Sequence, residues 1–264
     1  VQEVVVQETP GISGVKGTEN STNTFYGYYA GASTTGTQNA FFGAYAGNSN
    51  TSGYYNTFLG DRAGLSHTTG TENTYVGQCA GRSSTTAQYN TFVGSGAGYY
   101  SNGTRNSFLG YRAGFNNSTG NYNTFLGYYA GRDNDTTSYN TFVGDSAGYN
   151  NTANYNTYIG YYAGRLSTSG NYNAYLGYDA GHLSTTGYNN TFIGASAGDT
   201  NSTGHTNTAL GAFAGYTNST GTGNIFLGNN AGYYESGSNK LYIENSNSTS
   251  PLIYGDFSNN IVTI

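Results

Sequence analysis

A nine-residue core recurs along most of this chain and restricts what the chain can fold into. The core consists of Asn, a small residue, an aromatic residue, an aliphatic residue, Gly, two variable residues, Ala and Gly, as in segment 123–131. The thirteen copies begin at Asn23, Asn39, Asn56, Asn73, Asn90, Asn106, Asn123, Asn140, Asn156, Asn173, Asn190, Asn207 and Asn224. Successive copies are 17 residues apart nine times and 16 residues apart three times. A period this regular predicts one structural unit per repeat, stacked in a row.

The period suits one coil of a parallel β-solenoid, because helix-pair repeats need about 33 residues or more. We expect two short strands and two turns in each coil. Coils separated by about 4.8 Å would make thirteen of them a rod of roughly 60 Å. Counting from the Asn as position 1, we expect an Asn ladder at position 1, bends at the Gly residues of positions 5 and 9, and a thin interior at the Ala of position 8.

The composition supports regular repetition and excludes several classes of protein. The 264 residues include 42 Gly, and only 8% are charged, whereas 16% are aromatic. Helix is disfavoured because each interior Gly costs about 1 kcal/mol. A net charge of −5 argues against a nucleic-acid partner. The sequence has no apolar run long enough for membrane insertion. It begins at Val1 without a signal peptide, so we expect a processed product.

The neighbouring residues at positions 3 and 4 predict an assembly. Position 3 is aromatic in twelve of the thirteen copies, with Ala209 as the exception, and position 4 is apolar in all of them. Adjacent strand residues point to opposite faces, so one stripe must face outward. Burying each such side chain contributes about 1.5–3 kcal/mol, which favours a closed oligomer of three chains. We expect the aliphatic side chains to fill the roll and the rings to form the interface. The representative residues of these interface or core stripes are Phe58, Leu59, Phe92, Val93, Phe125, Leu126, Phe142, Val143, Tyr158 and Ile159.

The unit Asn-Thr-Phe-Leu-Gly-Tyr-Tyr-Ala-Gly of residues 123–131 resembles the head repeat of YadA-like trimeric autotransporter adhesins, whose units have approximately the form N-S-x-A-I-G-x-x-A. The resemblance extends over the whole array. It implies a left-handed parallel β-roll that forms trimers through its inner strands. This chain differs in its longer unit, in its aromatic residues at positions where that family prefers small ones, and in having no coiled-coil stalk or membrane anchor.

Two segments flank the array, so we divide the chain into three parts. Residues 1–22 are expected to be a connector or cap strand, because Val1–Val6 is β-branched and apolar. Residues 23–232 form the repeat array. Residues 233–264 are expected to be a β module with strands at 240–244, 251–254 and 261–264. This last part is similar to the module that follows such arrays in tail-fibre-type surface proteins. The resemblance implies a processing boundary near Ile264, where an intramolecular chaperone often follows.

No motif predicts catalysis, a metal or a cofactor, so we expect a protein that is not an enzyme. Asp133-Asn134-Asp135 resembles the start of a calcium loop but lacks its Gly and distal Glu. The remaining candidates are explained more simply as surface carboxylates, surface histidines and a tolerated thiol, with an intermolecular bridge or a reactive thiol as the alternatives for the cysteine. They are Asp61, Asp145 and Asp179; His67, His182 and His205; and Cys79.

Two surface features suggest contact with glycans. Tyrosines that precede the repeat Asn would stack at one angular position: Tyr55, Tyr89, Tyr122, Tyr139, Tyr155 and Tyr172. Such a ladder suits glycan contact, although packing along the solenoid edge is the favoured alternative. Sequons that would accept glycans in a secretory route begin at Asn102, Asn117, Asn201 and Asn218, and we expect them in surface turns.

These observations together predict a structural or adhesive extracellular fibre protein. We expect a stiff trimeric rod at a cell surface that assembles end to end through its terminal segments, with surface glycans or a host receptor as further partners. One alternative is a spacer or receptor-binding segment of a phage or injection-system tail fibre. Another is a solenoid that binds ice or polysaccharide. The Thr of position 2 would suit ice, but that Thr lies on the strand that we expect to be buried.

Overall fold

Each repeat contributes one short strand to a single continuous β-sheet. A computed structural model of the chain describes residues 22–264, so the expected strand at Val1–Val6 lies outside the described residues. The strands are β1 Thr24–Tyr26, β2 Ala40–Phe42, β3 Thr57–Leu59, β4 Thr74–Val76, β5 Thr91–Val93, β6 Ser107–Leu109, β7 Thr124–Leu126, β8 Thr141–Val143, β9 Thr157–Ile159, β10 Ala174–Leu176, β11 Thr191–Ile193, β12 Thr208–Leu210, β13 Ile225–Leu227, β14 Lys240–Ile243, β15 Ile253–Asp256 and β16 Ile261–Thr263.

The sheet follows the chain order from β1 to β16, and neighbouring strands are parallel from β1 through β14. Equivalent repeat positions are in register, so Phe125 of β7 lies beside Phe142 of β8 and Leu126 lies beside Val143. The predicted all-β solenoid of about thirteen coils is therefore confirmed. Residues 22–264 contain no helix, and none of the described segments is a helix that could cross a membrane.

The expectation of two strands per coil is wrong, because the second half of each coil consists of two consecutive turns. In the seventh coil, the amide of Ala130 donates to the carbonyl of Gly127 at 3.4 Å, and the amide of Asn134 donates to that of Gly131 at 3.2 Å. These turns are bonded to the next coil, since the amide of Gly131 also donates to the carbonyl of Ala147 at 2.9 Å. Hydrogen bonds between coils therefore continue beyond the strands.

The glycines at positions 5 and 9 allow these turns for two different steric reasons. Gly127 has φ +143°, and a Cβ there would lie 2.3 Å from the carbonyl oxygen of Gly144 in the next coil. Gly131 has φ +56°, and a Cβ there would lie 2.6 Å from the ring of Phe125 in its own coil. The first glycine permits close stacking of coils, and the second leaves space for a ring inside the coil.

The interior contains the aromatic side chains of position 3, which corrects our expectation that the aliphatic residues fill it. Phe58, Phe92, Phe125, Phe142 and Tyr158 are fully buried. Their rings belong to a continuous stack that runs from the first to the eleventh coil, with neighbouring centroids 4.7–5.0 Å apart. Flat rings match the strand spacing of a parallel sheet, so one ring fills one layer. The buried Ala of position 8 completes each layer, as predicted.

Ala209 interrupts this stack in the twelfth coil, and the neighbouring ring occupies part of the gap. The ring of Phe226 approaches Gly232 of its own coil and also Gly215 of the twelfth coil. A single Phe226 side chain thus covers the place that Ala209 leaves open, and the interior stays closed around both residues.

The Asn residues of position 1 form the predicted ladder, through side-chain bonds to the backbone. The Oδ1 of Asn123 accepts from the amide of Asn140 at 2.9 Å, and its Nδ2 donates to the carbonyl of Thr137 at 2.7 Å. Every repeat Asn, from the first coil to the last, makes an equivalent pair of hydrogen bonds. Each buried amide therefore satisfies two backbone groups that the following turn leaves without a partner.

A second buried polar column lies at position 12, in the part of the repeat that we expected to be an exposed turn. It comprises Thr34, Asn50, His67, Ser84, Ser101, Asn117, Asn134, Asn151, Ser167, Ser184, Asn201 and Asn218. Wherever position 3 is Tyr, this column has Ser in the same coil, and the hydroxyl groups are bonded at 2.7–3.0 Å. The small Ser leaves room for the phenol oxygen and supplies its partner.

The expectation that His67 is a surface residue is wrong. It is fully buried in the position 12 column, where its ring meets Phe58 and Tyr75 edge to face at centroid distances of 5.2 and 5.9 Å. Burial lowers the pKa of His67 to about 4, so the ring is neutral near pH 7. Of the sequon residues, Asn117, Asn201 and Asn218 belong to the same column and cannot be surface glycan acceptors.

Three strands follow the array, as expected, but the second, β15, lies two residues later than the predicted 251–254. β14 continues the parallel stack beside β13, and β15 and β16 then add to the same sheet in antiparallel order. Lys240 and Asp256 link β14 to β15 through an ion pair of 2.9 Å. The outer strand β16 is exposed along its whole length.

Candidate interaction surfaces

The outward face of the parallel sheet forms a long surface without charge. Its centre is the outer strip, which we define as the position 4 side chains, of which Leu59 is 49% exposed and Leu126 is 41% exposed. Val93, Val143 and Ile159 lie in the same strip. No charged residue occurs at position 2 or position 4 in any of the thirteen coils. An apolar strip of this length is unusual on a protein that remains monomeric in water.

The Thr residues of position 2 lie beside the outer strip on the same face. Thr57, Thr124 and Thr157 are exposed, and Thr is present at this position in nine of the thirteen coils. Since the strands are in register, the hydroxyl-bearing side chains form a straight rank one strand apart. The outward face therefore presents one rank of small polar side chains and one of aliphatic side chains.

The tyrosine ladder predicted at the residue before the repeat Asn is formed over four consecutive coils. Rings of Tyr122, Tyr139, Tyr155 and Tyr172 stack in parallel with centroids 4.9–5.0 Å apart. Because the rings cover one another, the ladder offers edges and hydroxyl groups to the solvent along most of its length. Glycan contact through this ladder stays a prediction and would use those groups.

The other two ladder tyrosines are separated from this stack by different side chains. Arg105 occupies the coil between Tyr89 and Tyr122, with its Cζ 5.2 Å from one ring centroid and 5.3 Å from the other. A guanidinium group therefore replaces one ring in the column through cation–π contacts. Glu72 stands at the equivalent place between Tyr55 and Tyr89, so the structure does not bring Tyr55 into the stack.

The backbone at this column and at position 7 has an uncommon conformation for residues with side chains. Tyr122 has φ +56°, and Tyr139 has φ +62°. Such residues cost on the order of 1 kcal/mol or more each when they are not Gly. Bonds between coils hold them in place, as the amide of Tyr122 donates to the carbonyl of Thr104 at 3.1 Å.

The candidate catalytic and metal-binding residues of the sequence do not form a common site. Within residues 22–264, no group of three or more His, Cys, Asp and Glu side chains could hold a metal ion. Asp133 pairs with Arg132 at 3.0 Å, and Asp61 pairs with Arg62 at the same distance. Cys79 is half-buried, and burial is the main cause that raises its thiol pKa.

His182 and His205 lie on separate surfaces. His182 is near Asp199, with Nδ1 and Oδ1 3.4 Å apart, and His205 stacks on Tyr188 with ring centroids 4.5 Å apart.

A small cavity lies where the array meets the C-terminal strands. It has a volume of about 200 Å³ and is lined by Tyr233, Glu235 and Tyr242 among others. The hydroxyl of Tyr242 donates to Glu235 at 2.8 Å, so these polar groups are already bonded to each other. Ligand pockets are commonly about 300–1,000 Å³, and this one is below that range.

Sequence reasoning missed the position 12 column because it lies within a run of polar residues. The signal was present, since Tyr75, Tyr158 and Tyr175 are each followed nine residues later by Ser.

Comparison of the chain with family models, curated proteins and solved structures found no match in any of the three. The outward sheet face and the exposed tyrosines are the surfaces on which this chain could bind a partner.

Proposed function

We propose that the protein is a structural rod of an extracellular fibre, and that three chains associate through the outer strip. The observation that carries the proposal is the unbroken row of apolar position 4 side chains, nine of the thirteen exposed, on a face without charge. The rod would provide length and stiffness at a cell surface and would present adhesive contacts along its sides.

Stiffness is supported by the hydrogen bonds that join every coil to the next. The Asn ladder, the ring stack and the bonds between turns all follow the rod axis. Bending the rod would stretch these contacts in several layers at once. The all-parallel register also means that no coil can slip without breaking the ladder on both sides.

Association through the outer strip is supported by its dimensions. Thirteen strands make the outward face, with the outer strip along it, about 60 Å long, and the three residues of each strand make that face about 10 Å wide. The resulting footprint of roughly 600 Å² approaches the ~800 Å² that each partner contributes to a standard interface. Side chains beside the strip would add the remainder. A closed arrangement of three chains would cover every copy of the strip equally.

The test is to place charges on the strip and measure the mass of the particle in solution. We expect a particle of three chains, each of 27.8 kDa, and dissociation to single chains in the double variant Leu109→Lys, Leu126→Lys. The matched control is Tyr122→Lys, Tyr139→Lys, which places two charges on neighbouring coils at another exposed column.

Sedimentation equilibrium gives the mass, and circular dichroism shows that the solenoid is retained in both variants. A wild-type chain that sediments as a single copy would contradict association. A strip variant that stays assembled would show that another surface is used.

A second candidate function is favoured by the Thr rank, which is exposed on a single chain beside the aliphatic rank. A flat, regular face of this kind suits binding to ice or to an ordered polysaccharide. Thermal hysteresis of the wild-type chain and of a Thr124→Lys, Thr157→Lys variant distinguishes it from the fibre proposal. The length and stiffness of the rod would equally suit a spacer in a tail fibre.

A further inference from the structure

One column of exposed tyrosines is interrupted by a carboxylate. At position 6, Tyr111 stacks on Tyr128 with centroids 5.3 Å apart, and Tyr161 stacks on Tyr178 at 5.5 Å. The coil between these two pairs carries Asp145 instead of a ring. We call this place the Asp145 gap, and define it by Tyr128, Asp145, Ser146 and Tyr161. The rings of Tyr128 and Tyr161 are 49% and 41% exposed.

Unlike Asp61 and Asp133, Asp145 has no cation beside it. Within residues 22–264 its carboxylate makes no ion pair, and its hydrogen bond comes from the hydroxyl of Ser146 at 2.6 Å. Asp61, at the same repeat position in the third coil, is paired with Arg62 at 3.0 Å. The Asp145 gap thus holds a negative charge that the described chain leaves without a counterpart.

The hydroxyl groups on both sides of the gap respond to this charge. The pKa of Tyr161 is raised to about 12, first by its hydrogen bond with Tyr162, then by desolvation and by neighbouring charges that include Asp145. The pKa of Tyr128 is also raised, first by its hydrogen bond with Tyr129, with the Asp145 charge again contributing. The carboxylate is therefore close enough to influence both tyrosines at once.

The same chain shows what fits between two tyrosines that are two coils apart. Arg105 lies between Tyr89 and Tyr122, at 5.2 and 5.3 Å from their centroids, and donates to the Tyr122 hydroxyl at 2.9 Å. Tyr128 and Tyr161 are separated by the same number of coils, but the residue between them is an acid. A guanidinium therefore stands between the two tyrosines of one column, and a carboxylate stands between the two tyrosines of the other.

We propose that the Asp145 gap binds a guanidinium group, presented as an arginine side chain by a partner protein. The carboxylate accepts two parallel N–H bonds, while the tyrosine rings contact the flat cation and their hydroxyl oxygens accept further bonds. A guanidinium is planar and weakly hydrated, so it suits this combination better than the compact ammonium of lysine.

The arginine must come from outside the chain. All six arginines of the sequence are Arg62, Arg82, Arg105, Arg112, Arg132 and Arg165. Each already lies within 6 Å of an aromatic ring in its own chain. The gap is complete within one chain, so this inference goes beyond the proposed rod function and does not depend on association through the outer strip.

The test uses three small probes of equal length and different head groups: N-butylguanidine, butylamine and N-butylurea. Binding to the full chain is measured by ligand-observed NMR titration at low ionic strength. We expect N-butylguanidine to bind with a dissociation constant on the order of 1 mM, as suits a single small contact. Butylamine should bind at least several-fold more weakly, and the uncharged urea should show no saturable binding.

Two matched variants assign the binding to the gap. Asp145→Asn should weaken N-butylguanidine binding about tenfold or more, whereas Asp61→Asn, at the same repeat position, should leave it unchanged. Circular dichroism and the thermal midpoint check that both variants stay folded. No binding to the wild-type chain, equal binding to Asp145→Asn, or equal binding of butylamine would each overturn the proposal. None of these outcomes depends on whether the particle contains one chain or three.

Discussion

The pairing of Tyr and Ser inside the solenoid predicts that one substitution has opposite effects in two coils. In the fifth coil, Phe92 faces Ser101, and both residues are fully buried. The hydroxyl of Ser101 has no hydrogen-bond partner among residues 22–264. We expect Phe92→Tyr to supply that partner, because the same pair is bonded at 3.0 Å in Tyr75 and Ser84 of the fourth coil.

The structure indicates that the added oxygen fits. A Cβ built on Gly98 would lie 2.4 Å from the Phe92 ring, and one built on Gly81 would lie 2.5 Å from the Tyr75 ring. The two rings therefore lie at the same depth in their coils. A buried hydrogen bond contributes about 0.5–1.5 kcal/mol net, so Phe92→Tyr should raise the free energy of unfolding by about 1 kcal/mol.

The matched comparison is Phe125→Tyr in the seventh coil, where position 12 is Asn134. The amide of Asn is branched and larger than the hydroxyl of Ser, so we expect the new oxygen to be crowded, even though the Nδ2 of Asn134 has no bond among residues 22–264. Overpacking of a buried core costs about 1–3 kcal/mol. The reverse change, Tyr158→Phe, should cost about 1–2 kcal/mol by leaving the buried Ser167 hydroxyl without its bond of 2.7 Å.

Urea unfolding followed by circular dichroism measures these differences, with all variants at one protein concentration so that association contributes equally. We expect Phe92→Tyr and Phe125→Tyr to differ by at least about 2 kcal/mol, in the stated order. Equal destabilisation by the two substitutions would refute the argument that the position 12 side chain selects the ring.

Two further predictions follow from the buried polar columns. Asn140→Ala should lower the free energy of unfolding by about 1–3 kcal/mol, because it leaves the buried amide of Asn156 without a partner, while the carbonyl of Ala153 keeps its bond from Asn151. Asn150→Ala, on a partly exposed turn, should cost under about 1 kcal/mol in the same urea assay. His67 has a folded-state pKa of about 4, below the ordinary value of 6.5. As the pH falls, the unfolded chain therefore binds a proton at this residue before the folded chain does. The stability that this ring contributes is complete above pH 6.5 and is lost as the pH falls towards 4, by about 3 kcal/mol in total. Unfolding measured across this range should lose that part of its pH dependence in His67→Asn, and an unchanged profile would contradict the assignment.

The coil itself could be predicted from the sequence, because its requirements are local and repeated. Gly at positions 5 and 9 indicated bends, and Gly127 and Gly131 have the positive φ angles that such bends need. The Asn at position 1 suggested a ladder, and Asn123 makes one. A repeated residue in a stack meets its own copy above and below, so its environment follows from the period alone.

The burial of the polar turn residues could not be predicted in this way. The imidazole of His67 and the amide of Asn117 lie in runs of Ser, Thr and Asn that are typical of exposed loops, and both are buried. Whether such a residue points in or out depends on the direction of the backbone after two consecutive turns. The Tyr and Ser pairs, nine residues apart, were the one sequence signal of a buried partner.

The period by itself determined that this chain forms stacked coils, and strand alternation determined that Phe125 and Leu126 face opposite ways. Only the tertiary structure decided which of them is inside. Gly131 leaves open the space that the Phe125 ring fills, and rings stacked at the spacing of the strands fill successive layers without gaps. The shorter aliphatic side chains would leave that space partly empty, so Leu126 and its equivalents remain outside, as the surface through which we expect the chains to meet.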